Sequence, residues 1–515
     1  MSSLSMFPSP PPVGYTSVCE ASGELVAAKM GEEGMIQAQY CGQVGEFPSL
    51  HFPPDSIRAS REESSAKAAF LPHDETVWKR AKEAWYEHGL GAVLSELVTS
   101  RAEVPGWLGW SSSAGLAVVR WLGSLHGSLF PHLALSNEDM IATFAENADW
   151  YHSAIRAFSW HPHIHKFAIA LRDNSIKVYS RTSKIIPLLK HKVQKGVAAL
   201  AWEPQCASVL AVGCQNCVLI WHVDPMSLSS RPSTTTCQVL TRPGHSPITC
   251  LAWSPHGKLL ASASPADTAM MIWSVSTETG VPLRRVGGGG VSLLRWSPDG
   301  NKLFAATPSS LLRVWETETW TCERWTNLAG RCQSSCWSPD GAVLLFTVAD
   351  EPVIYSITFP RDADVVTSVK AGSKSAVVCV DVSQVAVEVG EEVLNVGGSV
   401  HSMVWDPRGE RLAVMFTADP EKGTTSQLIA LFRTRLHPVL EIMPCGFIRG
   451  EPGVSPELIS FQENFESGAL LAVCWSNGKL SFIPLMFVPS DDVNRIPRNG
   501  FGNGTVFTGQ IFSQQ

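Results

Sequence analysis

One eight-residue phrase constrains this chain more than anything else in it. CLAWSPHG at 250, LLRWSPDG at 293 and SSCWSPDG at 334 are three near copies of a single instruction. Looser copies extend the series: AFSWHPH at 157, ALAWEPQ at 199, SMVWDPRG at 402 and LISFQENF at 458. The shared aromatic positions are Trp160, Trp202, Trp253, Trp296, Trp337, Trp405 and Phe461, with spacings of 42, 51, 43, 41, 68 and 56 residues. Each phrase ends an apolar run with a sharp reversal. Ser-Pro sets the backbone at the start of the turn, Asp or His can bond back to it, and Gly supplies the positive φ that closes it.

A second aromatic strand follows each of the first five phrases. Tyr179, Trp221, Trp273, Trp315 and Tyr355 stand 19, 19, 20, 19 and 18 residues after their partners. A unit of roughly 40–45 residues, built of short strands with a recurring Trp, is one blade of a β-propeller. Neighbouring blades bury each other's faces, and closing the ring leaves only short edges. The expected fold is all-β: a seven-bladed WD-repeat β-propeller over 150–488, from Trp150 to Val488. A short helical block at 71–149 precedes it.

The remainder is read in the same way. Residues 1–70 lack a period, carry Pro8, Pro10, Pro11 and Pro12, and read as a flexible segment. Within them Ser17 to Ala28, turning at Ser22-Gly23, is the candidate for a strand that closes the ring. In the helical block Val77, Trp78, Ala81, Ala84 and Trp85 share one face. Gly91 to Val98, Ser112 to Leu125 and Asn137 to Asn147 follow, the last with Ser136 as N-cap. Residues 489–515 read as a flexible tail.

Composition narrows the function. Forty basic against 47 acidic residues, a net charge of −7, argue against general nucleic-acid binding. The start, MSSLSMFPSPPPVG, has no secretory pattern. The most apolar stretch, Leu116 to Leu135, is interrupted by Arg120, two His and Pro131, so no membrane span is expected. Thirteen Cys, odd in number and scattered through strand-like runs, fit a reducing compartment. Without a signal, Asn503-Gly504-Thr505 reads as an unused glycosylation match.

The motifs that could carry chemistry have plainer readings. His161, His163 and His165 alternate beside a turn rather than converging from separate segments as zinc ligands do. Cys214 and Cys217 form a lone Cys-x-x-Cys with no redox-type helix after it. Gly287 to Gly290 enters a strand, where a phosphate cradle needs a helix N-terminus. There is no Gly-x-Ser-x-Gly elbow, Walker lysine loop or His-Glu-x-x-His helix. No catalytic, cofactor-binding or metal-ligating residue is expected, and no cofactor. The densest basic run, Lys184, Lys190, His191, Lys192 and Lys195, reads as a solvated edge strand guarded by lysines. Its functional reading is a surface for an acidic partner or a phosphate. Phe501-Gly502 is a single Phe-Gly pair, not a repeat domain.

Gly244-His245, 28 residues before Trp273, follows the Gly-His…Trp-Asp pattern of WD repeats, although Trp221, Trp273 and Trp315 are followed by His, Ser and Glu. Longer stretches carry a closer likeness: HGSLFPHLALS at 126, AFSWHPHIHKFAIAL at 157, CASVLAVGCQNCVLIW at 206 and VSTETGVPL at 275. WTCERW at 320, SMVWDPRGERLAV at 402, ALLAVCWSNGKLSFIPL at 469 and the opening MFPSPPP add to it. Together they resemble the aladin family of WD-repeat nucleoporins. The likeness weakens at 31–65, at 360–398 and after 488. It implies a non-catalytic scaffold of the nuclear pore complex at the nuclear envelope. The implied partners are proteins, including a transmembrane nucleoporin of the pore membrane, with no direct membrane span and no specific nucleic acid. The implied roles are nucleocytoplasmic transport and work at spindle poles in mitosis. The alternative is a soluble WD-repeat adaptor, a substrate receptor or trafficking platform, not fixed at the pore.

Overall fold

The computed structural model describes residues 2–41, 50–53, short stretches between 76 and 115, and 131–486 apart from 182, 225–228, 285–286, 288, 327, 360–374, 390–391, 419–426 and 467. Ala84 and Trp85, most of Ser112 to Leu125, Phe501-Gly502, Asn503 and the tail at 489–515 lie outside these residues.

Seven antiparallel sheets stand around one axis. Their innermost strands are Ile155–Trp160, Ala199–Trp202, Cys250–Trp253, Leu293–Trp296, Cys332–Trp337, Val400–Trp405 and Pro456–Gln462. Each packs beside the next, and the seventh meets the first, so the ring is closed. Successive strands pair outward within each blade. The second strands Lys166–Leu171, Val343–Val348 and Gly468–Trp475 are buried at every residue. Covered on both faces by neighbouring blades, they read as continuous apolar runs and not as alternating ones.

The repeated phrase is the turn between the first and second strands. In blade 4 Ser297 N–H donates to Lys302 O (2.8 Å), Gly300 N–H to Ser297 O (2.9 Å) and Lys302 N–H to Ser297 Oγ (2.8 Å), while the Ser297 hydroxyl donates to Asp299. Blade 5 repeats these bonds at Ser338, Asp340 and Gly341. Gly300 and Gly341 have φ of 77° and 70°, which a side chain would strain. In blade 6 Asp406 takes the serine's place, its carboxylate accepting from the N–H groups of Arg408, Glu410 and Arg411. Burial pushes that carboxyl up to about 6.

The second aromatics share a row with the first in four blades. Trp160, Phe167 and Tyr179 lie opposite one another, as do Trp202, Leu210 and Trp221, Trp253, Leu260 and Trp273, and Trp296, Leu303 and Trp315. Blade 5 differs: Trp337 lies in line with Leu344 and Ile357, whereas Tyr355 pairs with Phe346 two rows away. Its step of 18 is therefore a different placement and not a shortened copy.

Blade 7 takes only three strands from the C-terminal part, Pro456–Gln462, Gly468–Trp475 and Lys479–Met486. The hairpin Tyr15–Ala21 and Glu24–Lys29 supplies the next two, joining in parallel with Glu20 opposite Leu485. Its turn, Ser22-Gly23, has φ of 54° and 83°, the two positive values a tight hairpin needs. Ser2–Ser3 pairs in parallel with Val377–Asp381, the outer strand of blade 5. Between these anchors Leu4 is buried and Phe7 packs on Phe432 and Phe447 of blade 6, with ring centroids 4.9 and 4.8 Å away. Within the stretch expected over 1–70 to be flexible and to hold the candidate closing strand, residues 2–41 carry three strands and the helix Glu33–Cys41. Their prolines and glycines shape a belt over blades 5, 6 and 7, whose pairing partners are too distant in sequence to leave a local period.

A further hairpin, Val385–Val389 and Glu392–Val396, fills the gap between blades 5 and 6 with Val389, Leu394 and Val396. It accounts for part of the 68-residue spacing there. In the helical block Leu90–Thr99 is a helix, and Val77 and Leu97 are buried together. Trp78 is 66% exposed, against the expectation that it shares the apolar face. Val77 and Ala81 lie one helical turn apart, and Trp78 is rotated about 100° from them.

Candidate functional site

One segment organises the end of the ring at which the innermost strands begin. Ser136 caps the helix Asn137–Phe144, accepting from Asp139 N–H at 3.2 Å. The helix stops three residues short of the expected Asn147 because Asn147 turns inward, where its Nδ2 donates to Ile155 O at 2.7 Å and Ser153 Oγ at 3.2 Å. Ile141, Ala145 and Trp150 bury against Ala198, and the Trp150 indole donates to Val197 O at 3.0 Å. The Arg156 guanidinium lies 3.8 Å over that indole.

The same segment reaches blades on every side. His132 Nε2 meets Pro265 O (3.1 Å) and Gly289 O (3.0 Å), bridging blades 3 and 4. Gly290 must be glycine there, since a Cβ would lie 1.9 Å from Pro265 O. Glu146 forms an ion pair with Arg295 of blade 4, and its carbonyl accepts from His401 of blade 6 at 3.1 Å. Arg331 of blade 5 lies over Phe144 at 4.9 Å. Ala148 N–H donates to Glu457 O of blade 7 at 3.1 Å, and the Ser153 hydroxyl donates to the Glu457 carboxylate.

This segment forms a plug across that end of the ring, with the Glu146 side chain itself 51% exposed. Cavities of about 40 and 30 Å³ remain beside Glu146, room for isolated waters. Burial works against the charge on Arg295, yet the adjacent Glu146 carboxylate holds the guanidinium protonated. Glu457 is 4% exposed, and burial pushes its carboxyl up to about 7. Neither pairing was anticipated from sequence. The available signal was a charged residue inside an apolar strand, as in LLRW and PELISFQ.

The recurring tryptophans end the innermost strands. Trp160, Trp202, Trp253, Trp337, Trp405 and Phe461 are buried, and Trp296 is half-buried beside Trp320. Four of them staple adjacent blades. Indole N–H groups of Trp202, Trp253, Trp296 and Trp337 donate to the carbonyls of Ser159, Ala201, Ala252 and Arg295, at 3.2, 3.1, 3.0 and 3.1 Å. Each acceptor immediately precedes the previous blade's tryptophan. Trp405 turns instead to Thr434 of its own blade (2.9 Å).

The three alternating histidines have three different partners. His161 replaces the turn serine: its Nδ1 accepts from His163 N–H (3.1 Å) and its Nε2–H donates to Cys206 O (3.2 Å). That geometry requires a neutral ring, and burial lowers its pKa accordingly. His165 Nδ1 meets Gln462 at 2.7 Å, and His163 O accepts from Asn464 at 3.0 Å. Cys214 and Cys217 flank a two-residue hairpin loop, Cys214 N–H donating to Cys217 O at 2.9 Å, and both are buried. Among the described residues no group of three or more His, Cys, Asp and Glu is arranged to hold a metal ion.

In blade 3 Trp273 donates to Ser262 (2.9 Å), which meets His245 (2.9 Å), which meets Asp267 (2.9 Å). Blade 2 uses Gln194 in the place of His245: Trp221 donates to Gln194 Oε1 at 3.1 Å. Gln194 closes the turn begun at His191, and Lys190, Lys192 and Lys195 around it are exposed, with Lys184, along the connection between blades 1 and 2.

A family model of the aladin seven-bladed propeller matches residues 136–486. Aladin of Arabidopsis thaliana is 34% identical over 360 residues, covering 65% of this chain and 76% of the plant protein. Polyadenylation factor subunit 2 of Eremothecium gossypii is 31% identical over 109 residues, 21% of this chain and 24% of that protein. A chain from the crystal structure of a mitotic checkpoint complex aligns with a TM-score of 0.47 and 16% identity, over 65% of this chain and 91% of that one. The β-propeller domain of Myceliophteria thermophila Cps50 (Swd1) aligns with a TM-score of 0.47 and 15% identity, over 64% and 96%.

Proposed function

The chain belongs to the aladin family of seven-bladed propellers, and from that premise we propose that it is a non-catalytic scaffold and adaptor of the nuclear pore complex. It is held at the nuclear envelope by protein contacts, including one with a transmembrane nucleoporin. In that position it supports nucleocytoplasmic transport, and in mitosis it works at spindle poles. The observation that carries this reading is the relationship to aladin over most of the chain. The segment that crosses one end of the ring, tied to blades 4 and 6 through Glu146, fits this reading, because the rest of the faces and the rim remain for large contacts. No helix among the described residues is long and apolar enough to cross a membrane, so attachment through a partner suits this reading.

The test is localisation of the tagged full-length chain against a pore marker, with and without the membrane nucleoporins. A punctate nuclear rim lost with one of them, and resistant to salt in isolated envelopes, is the expected result. A diffuse signal from a folded chain would overturn it in favour of the soluble adaptor. Residues 1–149 should not be deleted as a block in this experiment, because the belt and the plug both lie within or across that boundary.

A further inference from the structure

The rim between blades 1 and 2 concentrates charge of one sign. Residues 172–195 hold seven Lys and Arg against one acid, Asp173, in a chain of net charge −7. Asp173 offsets little of this. It stands 3.7 Å from Lys190 and also accepts from the N–H and hydroxyl of Ser175. Among the described residues no carboxylate pairs with Lys184, Lys192 or Lys195. The neighbouring connection adds to the patch, because Leu188 N–H donates to Ser230 O (2.8 Å) and brings exposed Arg231 alongside.

The lysines are carried on a pinned backbone. Gln194, 3% exposed, donates to Asn174 O (2.6 Å) and Leu189 O (3.2 Å) while accepting from Trp221. His191 stands edge-on to Trp221, and its Nδ1 accepts from Val193 N–H at 3.3 Å. Like charges held together on fixed backbone repel one another and are relieved by an opposite charge from outside. Ordering this turn on binding costs little, because it is already ordered.

The surroundings select the kind of partner. Ile186 and Val193 are 42% and 37% exposed among the lysines. The aromatic side chains nearby are not available to bases: Tyr179 stacks on Phe167, and Trp221 is fully buried. Single-stranded nucleic acid is held by stacking on exposed aromatics as well as by charge. A protein segment that mixes carboxylates with aliphatic side chains can use both the lysines and the two apolar residues. We propose that this rim is a docking surface for an acidic, aliphatic-containing protein segment, centred on Lys184, Lys190, Lys192 and Lys195. The proposal does not depend on where in the cell the ring is held.

The test uses the full-length chain and a fluorescein-labelled peptide of alternating Asp and Val, followed by anisotropy at low salt. Saturable binding is expected. It should weaken at least about tenfold when Lys184, Lys190, Lys192 and Lys195 are all changed to Glu, and severalfold in Ile186→Ser/Val193→Ser. Both variants should melt as wild type does, which separates lost binding from lost fold. An all-Asp peptide of equal length should bind more weakly than the mixed one. Absent or non-saturable binding, or binding unchanged by charge reversal, would overturn the proposal. So would equal affinity for the all-Asp peptide, or displacement of the mixed peptide by single-stranded RNA at lower concentration.

Discussion

The two arcs of this ring are held together by different means. From blade 1 to blade 5, each junction repeats one device, an indole N–H reaching back to the carbonyl beside the previous tryptophan. From blade 5 through blade 7 the staples stop. Trp405 bonds within its own blade, and Phe461 has no N–H to give. There the N-terminal belt takes over, with Ser2–Ser3 on blade 5, Phe7 on blade 6 and the hairpin on blade 7. Glu20 of the belt is paired, fully buried, with Arg411 of blade 6. A repeated local device can be written once per blade. A belt must be written once, far from where it acts.

The largest effect should come from removing the belt. Deleting residues 2–29 leaves blade 7 with its three C-terminal strands and the two-residue strand Leu50–His51, and uncovers the edge around Leu485, so the product should aggregate or be cut by protease in blades 6 and 7. A soluble product melting cooperatively near the wild-type temperature would show that the staples suffice alone.

Next in size is Arg411→Met, which strands a buried Glu20 carboxylate and should cost about 3–5 kcal/mol in denaturant unfolding. Glu20→Leu together with Arg411→Met should recover most of that loss. If the double variant is as unstable as the single, the belt is held by something other than this pair.

Glu457 probes the seam between blade 7 and the plug. Its folded pKa of about 7 lies above its ordinary value of 4.5, so the folded state binds the extra proton between those limits. Stability from this group is greatest at the acid side and falls as pH rises through about 7, by on the order of 3 kcal/mol. Glu457→Gln should remove that slope while keeping a partner for Ser153. Melting temperatures of the two proteins from pH 5 to 8 should converge at the acid end and separate at the alkaline end. Parallel curves would refute the assignment.

The smallest effect tests one staple. Trp253→Phe keeps much of the packing but leaves Ala201 O without its indole donor, at about 1–2 kcal/mol. Trp405→Phe breaks no interblade bond and should leave protease sensitivity at the blade 5–6 junction unchanged.

The fold class was legible because the turn needs the same few residues each time. Ser, Pro, Asp and Gly at fixed offsets, with Trp before them, are local requirements and so appear as a local pattern. The stapling role of the Trp was not legible, because the spacing reveals recurrence and not the acceptor. Tyr355 shows the limit from the other side: its step resembles the others, yet it occupies a different row. The plug and the Glu20–Arg411 pair were hidden because their partners come from distant blades. Their one trace is a charged side chain in an apolar run, as in TSVCEA and RLAVMF. The basic rim was visible as composition, but its rigid support through Gln194 needed the fold.

The parallel pairing of Glu20 with Leu485 has a consequence for how the chain is made. During synthesis the hairpin leaves the ribosome before any of the seven blades, and the strand it completes comes last in the ring. Until then the nascent chain carries an apolar ribbon with no permanent partner, along with a growing row of unfinished blades. A message that stops at Pro456 therefore does not yield a six-bladed ring. It yields an arc with two adhesive ends, a species for chaperones or proteases and not a smaller working protein. Completion of the ring is a proofreading step, passed only by a chain translated to its final blade.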